Sequence, residues 1–457
     1  MALHQQASQW YENDGFPDDA IHHALAARDW QRAIRLLYDP DEKRIKLGET
    51  VSFLNWLKAV PDETLRTHHK LYLQFARVLF ATGQLDAAEA VLGYLELTAQ
   101  DDTNLQGEIT VLRANIAQNR GDYPRAVELV KKALSMLATD NLRARSRANY
   151  LQGFMLFEKG LYEEAEPLLT EAYEGELKSG DYTDAGTSAN FLAAIVSQRG
   201  RLRRAAELWR EAIGLAELSL APRMSLSIAI LYEWNELEAA ARLQQQMIEL
   251  SKLSGNPSDS AVVYILLAKT RLAQGDIAGA VASAGKSDEL AQLPAAARFA
   301  RARHAAYRVL LVIWQDDRAA IEHWRTKVSE YADALPFWLS WVPPRVLIAC
   351  GEKEAAAKQL EALHEKAARA DLQTVLISTC VYQALAAATP TEALNFLTEA
   401  LTLGQPEGFI RTFVDEGRLL APLLREALAQ GVTPEYTKKL LNIIEAEERQ
   451  RQASGLG

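Results

Sequence analysis

The sequence predicts an all-α chain, folded as a right-handed superhelix of helix-turn-helix repeats, which is an α-solenoid. Three observations predict it: a glycine-containing turn pattern recurs, small residues flank each turn at fixed distances, and the composition is that of an ordered protein. Apolar residues make up 49% of the chain and charged residues 24%, as in globular proteins. A length of 457 residues exceeds what one compact core usually needs, which favours an extended array.

The N-terminal residues 1–65 are predicted to form a separate helical segment. One turn follows Trp10 at Gly15, and a second lies at residues 27–29. Pro40 and Pro61 then interrupt the helical period, because proline removes a backbone donor and disfavours helix in the residue before it. Residues 38–70 are therefore expected to join this segment to the main repeat domain, residues 66–444.

The repeat domain is marked by the pattern Gly-x-hydrophobic-x-x-Ala. The pattern begins at Gly83, Gly121, Gly160, Gly200 and Gly275, and Asn235 replaces glycine in one copy. Successive turns lie 38, 39, 40, 35 and 40 residues apart, slightly more than the period of about 34 of a minimal tetratricopeptide repeat. The spacing predicts tetratricopeptide-like repeats, roughly ten or eleven helix pairs in all.

Each turn residue should end one helix in a left-handed conformation. The alignment of the turns then places small residues where the two helices of each pair cross, since a bulky side chain there would push packed helices apart. On first helices these residues are Ala76, Ala114, Gly153, Ala193 and Ala268, and on second helices Ala88, Ala126, Ala165, Ala205, Ala240 and Ala280.

The repeat period is less regular toward the C-terminus. Helix breaks are expected there at residues 315–317, at Gly351 and at Thr389–Pro390. Residues 445–457 are polar and have no apolar period, so they are expected to form a flexible tail.

Composition and charge exclude several function classes. The net charge is −10 and the isoelectric point about 5.5, which disfavours direct binding to nucleic acids. The apolar runs are far shorter than the roughly 20 residues of a membrane-spanning helix, and the N-terminus lacks the pattern of a secretory signal. A cytoplasmic location without membrane contact is expected. Cys350 and Cys380 are expected to be free thiols rather than a disulfide or a zinc site.

The two ends of the chain carry a family resemblance. Gly408 to Gly417 reads Gly-Phe-Ile-Arg-Thr-Phe-Val-Asp-Glu-Gly and closely resembles the sequence that closes the repeat region of the MalT-type large ATP-binding LuxR-family transcriptional regulators. The segment from Trp10 to Trp30, followed by Trp56 and Pro61, resembles the part that joins their ATPase module to their repeats.

This resemblance implies the sensor region of a bacterial transcriptional activator, without the family's ATPase and helix-turn-helix domains. It implies that a small-molecule inducer, a regulatory protein or both bind here, and self-association is possible. ATP is expected only on the ATPase module, so no cofactor is expected in this chain. The alternative is a stand-alone adaptor that joins proteins and takes no inducer.

An enzyme hidden in the groove is the weaker interpretation. Residues 280–287 fit a permissive P-loop pattern, but the repeat register already explains their small residues as a helix face. The adjacent pairs His22-His23 and His68-His69 point in different directions on a helix, so they are not expected to bind one metal. No catalytic and no metal site is predicted.

The candidate ligand groove follows from the rule that certain first-helix positions face the concave side of a tetratricopeptide array. Amides beside aromatic faces would suit a neutral polar ligand such as a sugar. The competing interpretation is that the aromatic rings fill the core between repeats and the amides are solvated. The predicted groove residues are Asn115, Gln118, Asn119, Arg147, Tyr150, Phe154, Phe157, Glu158, Asn190, Ser197, Gln198, Tyr232 and Glu233.

Overall fold

The fold was examined in a computed structural model that describes residues 1–38, 50–254 and 256–453. Within these ranges every regular element is helical, which confirms the predicted all-α class. None of the helices described there is both long and apolar enough to cross a bilayer. The chain forms two compact units: unit 1 is Met1–Lys159 with Glu164–Ser188, and unit 2 is Gly160–Glu163 with Ala189–Gly457.

The first twelve helices run in the order α1 Ala2–Asn13, α2 Pro17–Ala26, α3 Trp30–Leu37, α4 Thr50–Ala59, α5 Asp62–Arg66, α6 His69–Ala81, α7 Leu85–Thr98, α8 Thr103–Asn119, α9 Tyr123–Met136, α10 Leu142–Glu158, α11 Tyr162–Lys178 and α12 Tyr182–Gln198.

The later helices are α13 Leu202–Leu215, α14 Ala221–Ser225, α15 Leu237–Ser254, α16 Pro257–Ala273, α17 Ile277–Ala291, α18 Arg298–Trp314, α19 Arg318–Glu330, α20 Val342–Ala349, α21 Lys353–Arg369, α22 Gln373–Ala386, α23 Pro390–Gly404, α24 Arg411–Val414, α25 Gly417–Ala429 and α26 Pro434–Ala453. A π-helix, Leu226–Tyr232, follows α14, and two short 3₁₀ helices precede α20.

The predicted turns are confirmed by their backbone geometry. Gly83 and Gly121 have φ of +75° and +79°, and Asn235, which replaces glycine in the pattern, has φ of +63°. Around Gly83 the N–H of Gln84 donates to the carbonyl of Leu79 at 2.8 Å, which is the long hydrogen bond of a Schellman turn. The same conformation recurs at Gly160, Gly200 and Gly275.

The register of small residues is confirmed by burial. All eleven predicted positions are buried, and Ala114, Ala165 and Ala193 are completely inaccessible. At Gly153 a larger side chain would not fit, because a Cβ built on this glycine would lie 2.8 Å from Cγ of Leu169.

The turn at Gly180 was not predicted, although its sequence fits the turn pattern. Gly180 has φ of +76° and separates α11 from α12. Gly180-Asp-Tyr-Thr-Asp-Ala185 fits the same turn pattern, but it joins two repeats rather than the helices of one. Asp371 and Asp316 adopt positive φ at similar turns without glycine.

The predicted domain boundaries concern residue 65 and the C-terminal tail. The boundary at residue 65 remains a prediction, and residues 39–49, which include Pro40 of the predicted joining segment, lie outside the described residues. Residues 445–453, predicted as a flexible tail, instead continue α26. Their helix is retained because Glu447 pairs with the buried Arg411. Residues 454–457 lie outside the described part of the chain.

Tryptophans pack in the cores of both units. Trp209 is only 2% exposed, and Trp30 and Trp324 pack against the cores of their units. Trp338 and Trp341 also pack against the unit 2 core. Trp10, by contrast, is 55% exposed.

Candidate functional site

The predicted groove residues of unit 1 lie on neighbouring first helices. Asn115 is on α8 and Arg147 on α10, and Nη2 of Arg147 donates to Oδ1 of Asn115 at 3.2 Å. Arg147 also pairs with Asp184 of α12 at 3.5 Å. Because its side chain keeps 31% of its exposure, Arg147 lies at the surface of this polar row.

An aromatic pair continues the row along α10. The rings of Tyr150 and Phe154 stack with centroids 6.1 Å apart, and the guanidinium of Arg147 lies 5.1 Å above the Tyr150 ring. Burial raises the pKa of Tyr150 to about 12, so this phenol remains a neutral donor at physiological pH. The amide, the guanidinium and the rings therefore lie together, and Tyr150 also packs against the core of unit 1, so their ligand role stays a prediction.

Behind this row lies a buried acid that sequence reasoning missed. Glu176 on α11 is 2% exposed, and neither of its carboxylate oxygens has a hydrogen-bond partner. Burial raises its pKa to about 8. Glu176 is thus held largely as the neutral acid at pH 7, a state that no sequence pattern here signalled.

A concave pocket of about 440 Å³ opens at the N-terminal turns of α6, α8 and α10, a size that suits a small ligand. Lys70, Arg77 and Arg143 contribute positive charge to its wall, and Glu108 pairs with Arg77 at 2.8 Å. The pocket lies about one turn before Arg147 on α10 and about two to three turns before Asn115 on α8. The polar surface of the first helices in unit 1 is therefore longer than the predicted groove.

The remaining predicted groove residues of unit 1 differ in their exposure to solvent. Gln118 is half-buried, Asn119 and Glu158 are exposed, and Phe157 is buried. Phe157 therefore lies in the core, in line with the competing interpretation.

In the part of α12 that belongs to unit 2, two of the three predicted groove residues make hydrogen bonds within the fold. Asn190 accepts a hydrogen bond from Nε1 of Trp209 at 3.1 Å. The carbonyl of Ser197 accepts from the Thr374 hydroxyl at 2.6 Å. Gln198 is 9% exposed and its Oε1 has no partner. Their ligand role stays a prediction, and their present contacts are structural.

Tyr232 and Glu233 contact the chain's own C-terminal segment, so their placement in an open groove is corrected. The backbone N–H groups of Ile410 and Arg411 both donate to the carbonyl of Glu233 at 3.1 Å. The Glu233 carboxylate accepts from the backbone N–H and the hydroxyl of Thr412, each at 3.0 Å. We call residues 407–416 the docking segment.

The charged groups of the docking segment and their partners are buried or half-buried. Arg411 is 2% exposed and pairs with Asp415 at 2.6 Å and with Glu447 of α26. Asp415 accepts from the Tyr232 hydroxyl at 3.0 Å and pairs with Lys269 at 3.3 Å. Burial opposes ionisation of Asp415, but these two cations lower its pKa.

The docking segment coincides with the family-like sequence from Gly408 to Gly417. Across residues 107–430 the chain matches the family described as the MalT-like TPR region. The chain belongs to this family. The region of the chain that matches this family therefore includes the first helices of unit 1 from α8 onward, and it ends after the docking segment.

Relatives of the MalT-like chain are transcriptional regulators. It is 27% identical over 456 residues to the HTH-type transcriptional regulator MalT of Cronobacter sakazakii, covering 95% of the chain and 50% of that protein. The MalT of Klebsiella pneumoniae is also 27% identical over 454 residues, with the same coverage. The chain thus spans about half the length of the curated relatives it matches.

Solved structures show weaker likeness to the MalT-like chain. A Rap protein complexed with competence and sporulation factor is 13% identical, with a TM-score of 0.43, and covers 84% of this chain and 100% of its own. Pseudomonas aeruginosa pilF is 19% identical, with a TM-score of 0.39, and covers 49% of this chain and 93% of its own.

Other chemical motifs of the MalT-like chain have structural roles. Residues 280–287 lie within α17, so the P-loop pattern is helix rather than a phosphate-binding turn. Lys286 pairs with Glu289 at 2.6 Å on the surface. Cys380 is buried and both cysteines are free. Among the described residues, no group of three or more acidic, histidine or cysteine side chains is placed to hold a metal.

Proposed function

We propose that this chain is the signal-sensing region of a cytoplasmic MalT-like transcriptional activator, and that it binds an effector or a regulatory protein without catalysing a reaction. The single observation that supports this is the family match over residues 107–430. On this proposal ATP belongs to a separate module of the regulator, and DNA is contacted by another domain.

The effector site that we propose is the first-helix surface of unit 1. Arg147, Tyr150 and Phe154 present a cation and two ring faces, and the buried Asn115 positions Arg147 by accepting from its guanidinium. Ring faces cover apolar surfaces of a polar ligand, while amide and guanidinium groups bind its hydroxyls. The neighbouring pocket at Lys70 and Arg77 gives room for a ligand longer than one ring.

A ligand screen by thermal unfolding tests this proposal. Metabolites and oligosaccharides are added singly to the chain, and a ligand that binds the folded state raises the melting temperature. Any hit is then titrated against Arg147→Ala and against the control Arg125→Ala, which removes an exposed pair on a second helix. We expect binding to be lost only in Arg147→Ala.

Two results would count against the site and the function respectively. Undiminished affinity of Arg147→Ala for a confirmed hit would place the effector elsewhere. Conversion of any compound in the panel to product by the purified chain would contradict a non-catalytic role.

A second candidate function, an adaptor that holds proteins together, is favoured by a different observation. Leu3, Trp10 and Phe16 are large apolar side chains that remain 81%, 55% and 52% exposed on α1 and at the start of α2. Exposed apolar patches commonly mark protein contacts. A co-purified protein partner whose affinity falls with Trp10→Ala, together with no response to any small molecule, would support the adaptor.

A further inference from the structure

Aromatic rings and cations alternate along one surface of unit 2. The Arg303 guanidinium on α18 lies 5.6 Å from the centroid of the Phe299 ring and 5.4 Å from that of Trp338. Phe337, the neighbour of Trp338 in sequence, carries over its ring the ammonium group of Lys366 from α21, at 4.5 Å. We call these five residues the aromatic–cation row. The row joins α18, the segment before α20, and α21.

The start of α18 adds positive charge beside the row. The Arg298 guanidinium lies 5.3 Å from the centroid of the Tyr331 ring and pairs with Asp333 at 2.6 Å. Arg301 donates to the carbonyl of Leu293 at 2.9 Å. The first turn of α18 contains no acidic residue, and its N-cap makes no side-chain hydrogen bond. Because a helix N-terminus is itself electropositive, the helix end and the arginines attract the same kind of partner.

The row is anchored at its centre and open at its ends. Trp338 packs against the core of unit 2, whereas Phe299 is 48% exposed and the nearby Leu293 44% exposed. Lys366 is also exposed. Arginine and aromatic side chains on a firm base are typical of the residues that contribute most to protein interfaces. Rings and cations that already contact each other lose less conformational freedom when a partner binds.

The charge of this surface is opposite to that of the chain as a whole. The chain has a net charge of −10, but Arg298, Arg303 and Lys366 bring three cations to the surface around the row. Glu365, next to Lys366, pairs with Arg369 at 2.6 Å. Within the part of the chain that the structure describes, Lys366 forms no ion pair. A carboxylate from outside the chain would therefore complement this cation.

We propose that the aromatic–cation row docks an acidic segment of a partner protein, with carboxylates at its cations and an apolar side chain against Phe299. The proposal rests on the protein-binding role proposed above and names the surface and the chemistry of the partner. It does not involve the effector site, since the row lies in unit 2 and that site in unit 1.

The contacts of the rings favour an acidic protein over a single-stranded nucleic acid. Binding of a single strand depends on bases that stack on aromatic faces along a groove of positive charge. In this row the Trp338 and Phe337 rings already contact cations, and the net charge of −10 repels a long phosphate backbone. A short segment with a few carboxylates needs only the local cations.

Fluorescence anisotropy with the whole chain tests the proposal. The probe is a short labelled peptide in which pairs of glutamates alternate with single leucines, and the same peptide with glutamine in place of glutamate is its control. We expect only the acidic peptide to bind, and its affinity to fall about fivefold or more in Lys366→Glu and in Phe299→Ser. Failure of the acidic peptide to bind the wild-type chain would overturn the proposal.

Two matched variants separate this surface from general effects of charge and exposure. Lys358→Glu makes the same change in net charge at an exposed position about two turns earlier on α21. Leu218→Ser removes an apolar side chain of unit 2 that is 79% exposed. We expect both controls to bind the peptide as the wild type does. Equal losses in Lys358→Glu and Lys366→Glu would contradict docking at the row.

A labelled oligothymidine strand tests the other class of macromolecule. If this strand binds more tightly than the acidic peptide and loses its affinity in Phe299→Ser, the row recognises nucleic acid and the proposal is wrong. We expect the strand to bind more weakly than the acidic peptide. The effector titration with Arg147→Ala concerns unit 1, so failure of the row and failure of the effector site can be told apart.

Discussion

At the scale of single residues, the helix crossings decide which substitutions the fold tolerates. Gly153→Ala improves helix propensity by about 1 kcal/mol, but the new Cβ would lie 2.8 Å from Leu169. Overpacking of this kind costs about 1–3 kcal/mol, so we expect net destabilisation in urea unfolding. Gly285→Ala is the matched control, since no atom lies within 4 Å of its Cβ, and it should stabilise α17 slightly.

The buried acid Glu176 predicts a pH dependence of stability. Its pKa is raised to about 8 by burial, so the folded state binds a proton that the unfolded state releases above its ordinary pKa. Stability should therefore fall as pH rises from about 5 to 8. Glu176→Gln should remove this loss and gain about 1–3 kcal/mol over the wild type at pH 8, with little difference at pH 5.

Urea unfolding at a series of pH values measures this difference. Glu174→Gln is the control, because Glu174 lies on the same helix but is exposed beside Lys178. Parallel stability curves for Glu176→Gln and Glu174→Gln across this pH range would contradict the role of burial.

At the scale of elements, the docking segment should hold the C-terminal helices in place. Arg411→Ala removes a buried cation and leaves the half-buried Asp415 and Glu447 without their main partner, a loss that should cost up to about 3–5 kcal/mol. We expect faster proteolysis within α26 and a lower melting temperature. Arg425→Ala, which breaks the exposed pair with Glu445 between α25 and α26, should cost at most about 1 kcal/mol. Equal protease resistance of the two variants would argue against this role.

The repeats and the docking segment differ in how far they could be predicted. The turns at Gly83 and Asn235 depend on local backbone geometry, so a six-residue pattern was enough to place them. The pairing of Glu233 with Thr412 spans 179 residues, and periodicity carries no information on such contacts. The available signal was the presence of charged residues such as Arg411 and Asp415 next to the apolar pairs Phe409–Ile410 and Phe413–Val414.

The candidate site was predictable only in part, because some of its contacts also join residues that are far apart in the sequence. First-helix register placed Asn115, Arg147 and Tyr150 on neighbouring helices, where they do lie together. The register could not tell that Tyr232 would be covered, because its covering residues come from the far end of the chain. Nor could it identify Glu176, whose unusual state arises from burial rather than from its neighbours in sequence.

At the scale of the whole molecule, the net charge determines whether the chain is expected to bind DNA. The chain carries a net charge of −10, and a protein needs neutralising cations along the phosphate backbone to bind a duplex. We expect no sequence-dependent shift in gel electrophoresis at physiological salt. A shift with a specific duplex that survives excess random competitor would contradict this.

The long span of the docking segment also has a consequence for biosynthesis. Tyr232 and Glu233 leave the ribosome 183 and 179 residues before their partners Asp415 and Thr412. At the usual rates of translation, of about 5–20 residues per second, that interval lasts roughly 10–40 s. During it the side of Tyr232 and Glu233 that the docking segment covers stays open, so chaperones have a defined window in which to recognise it.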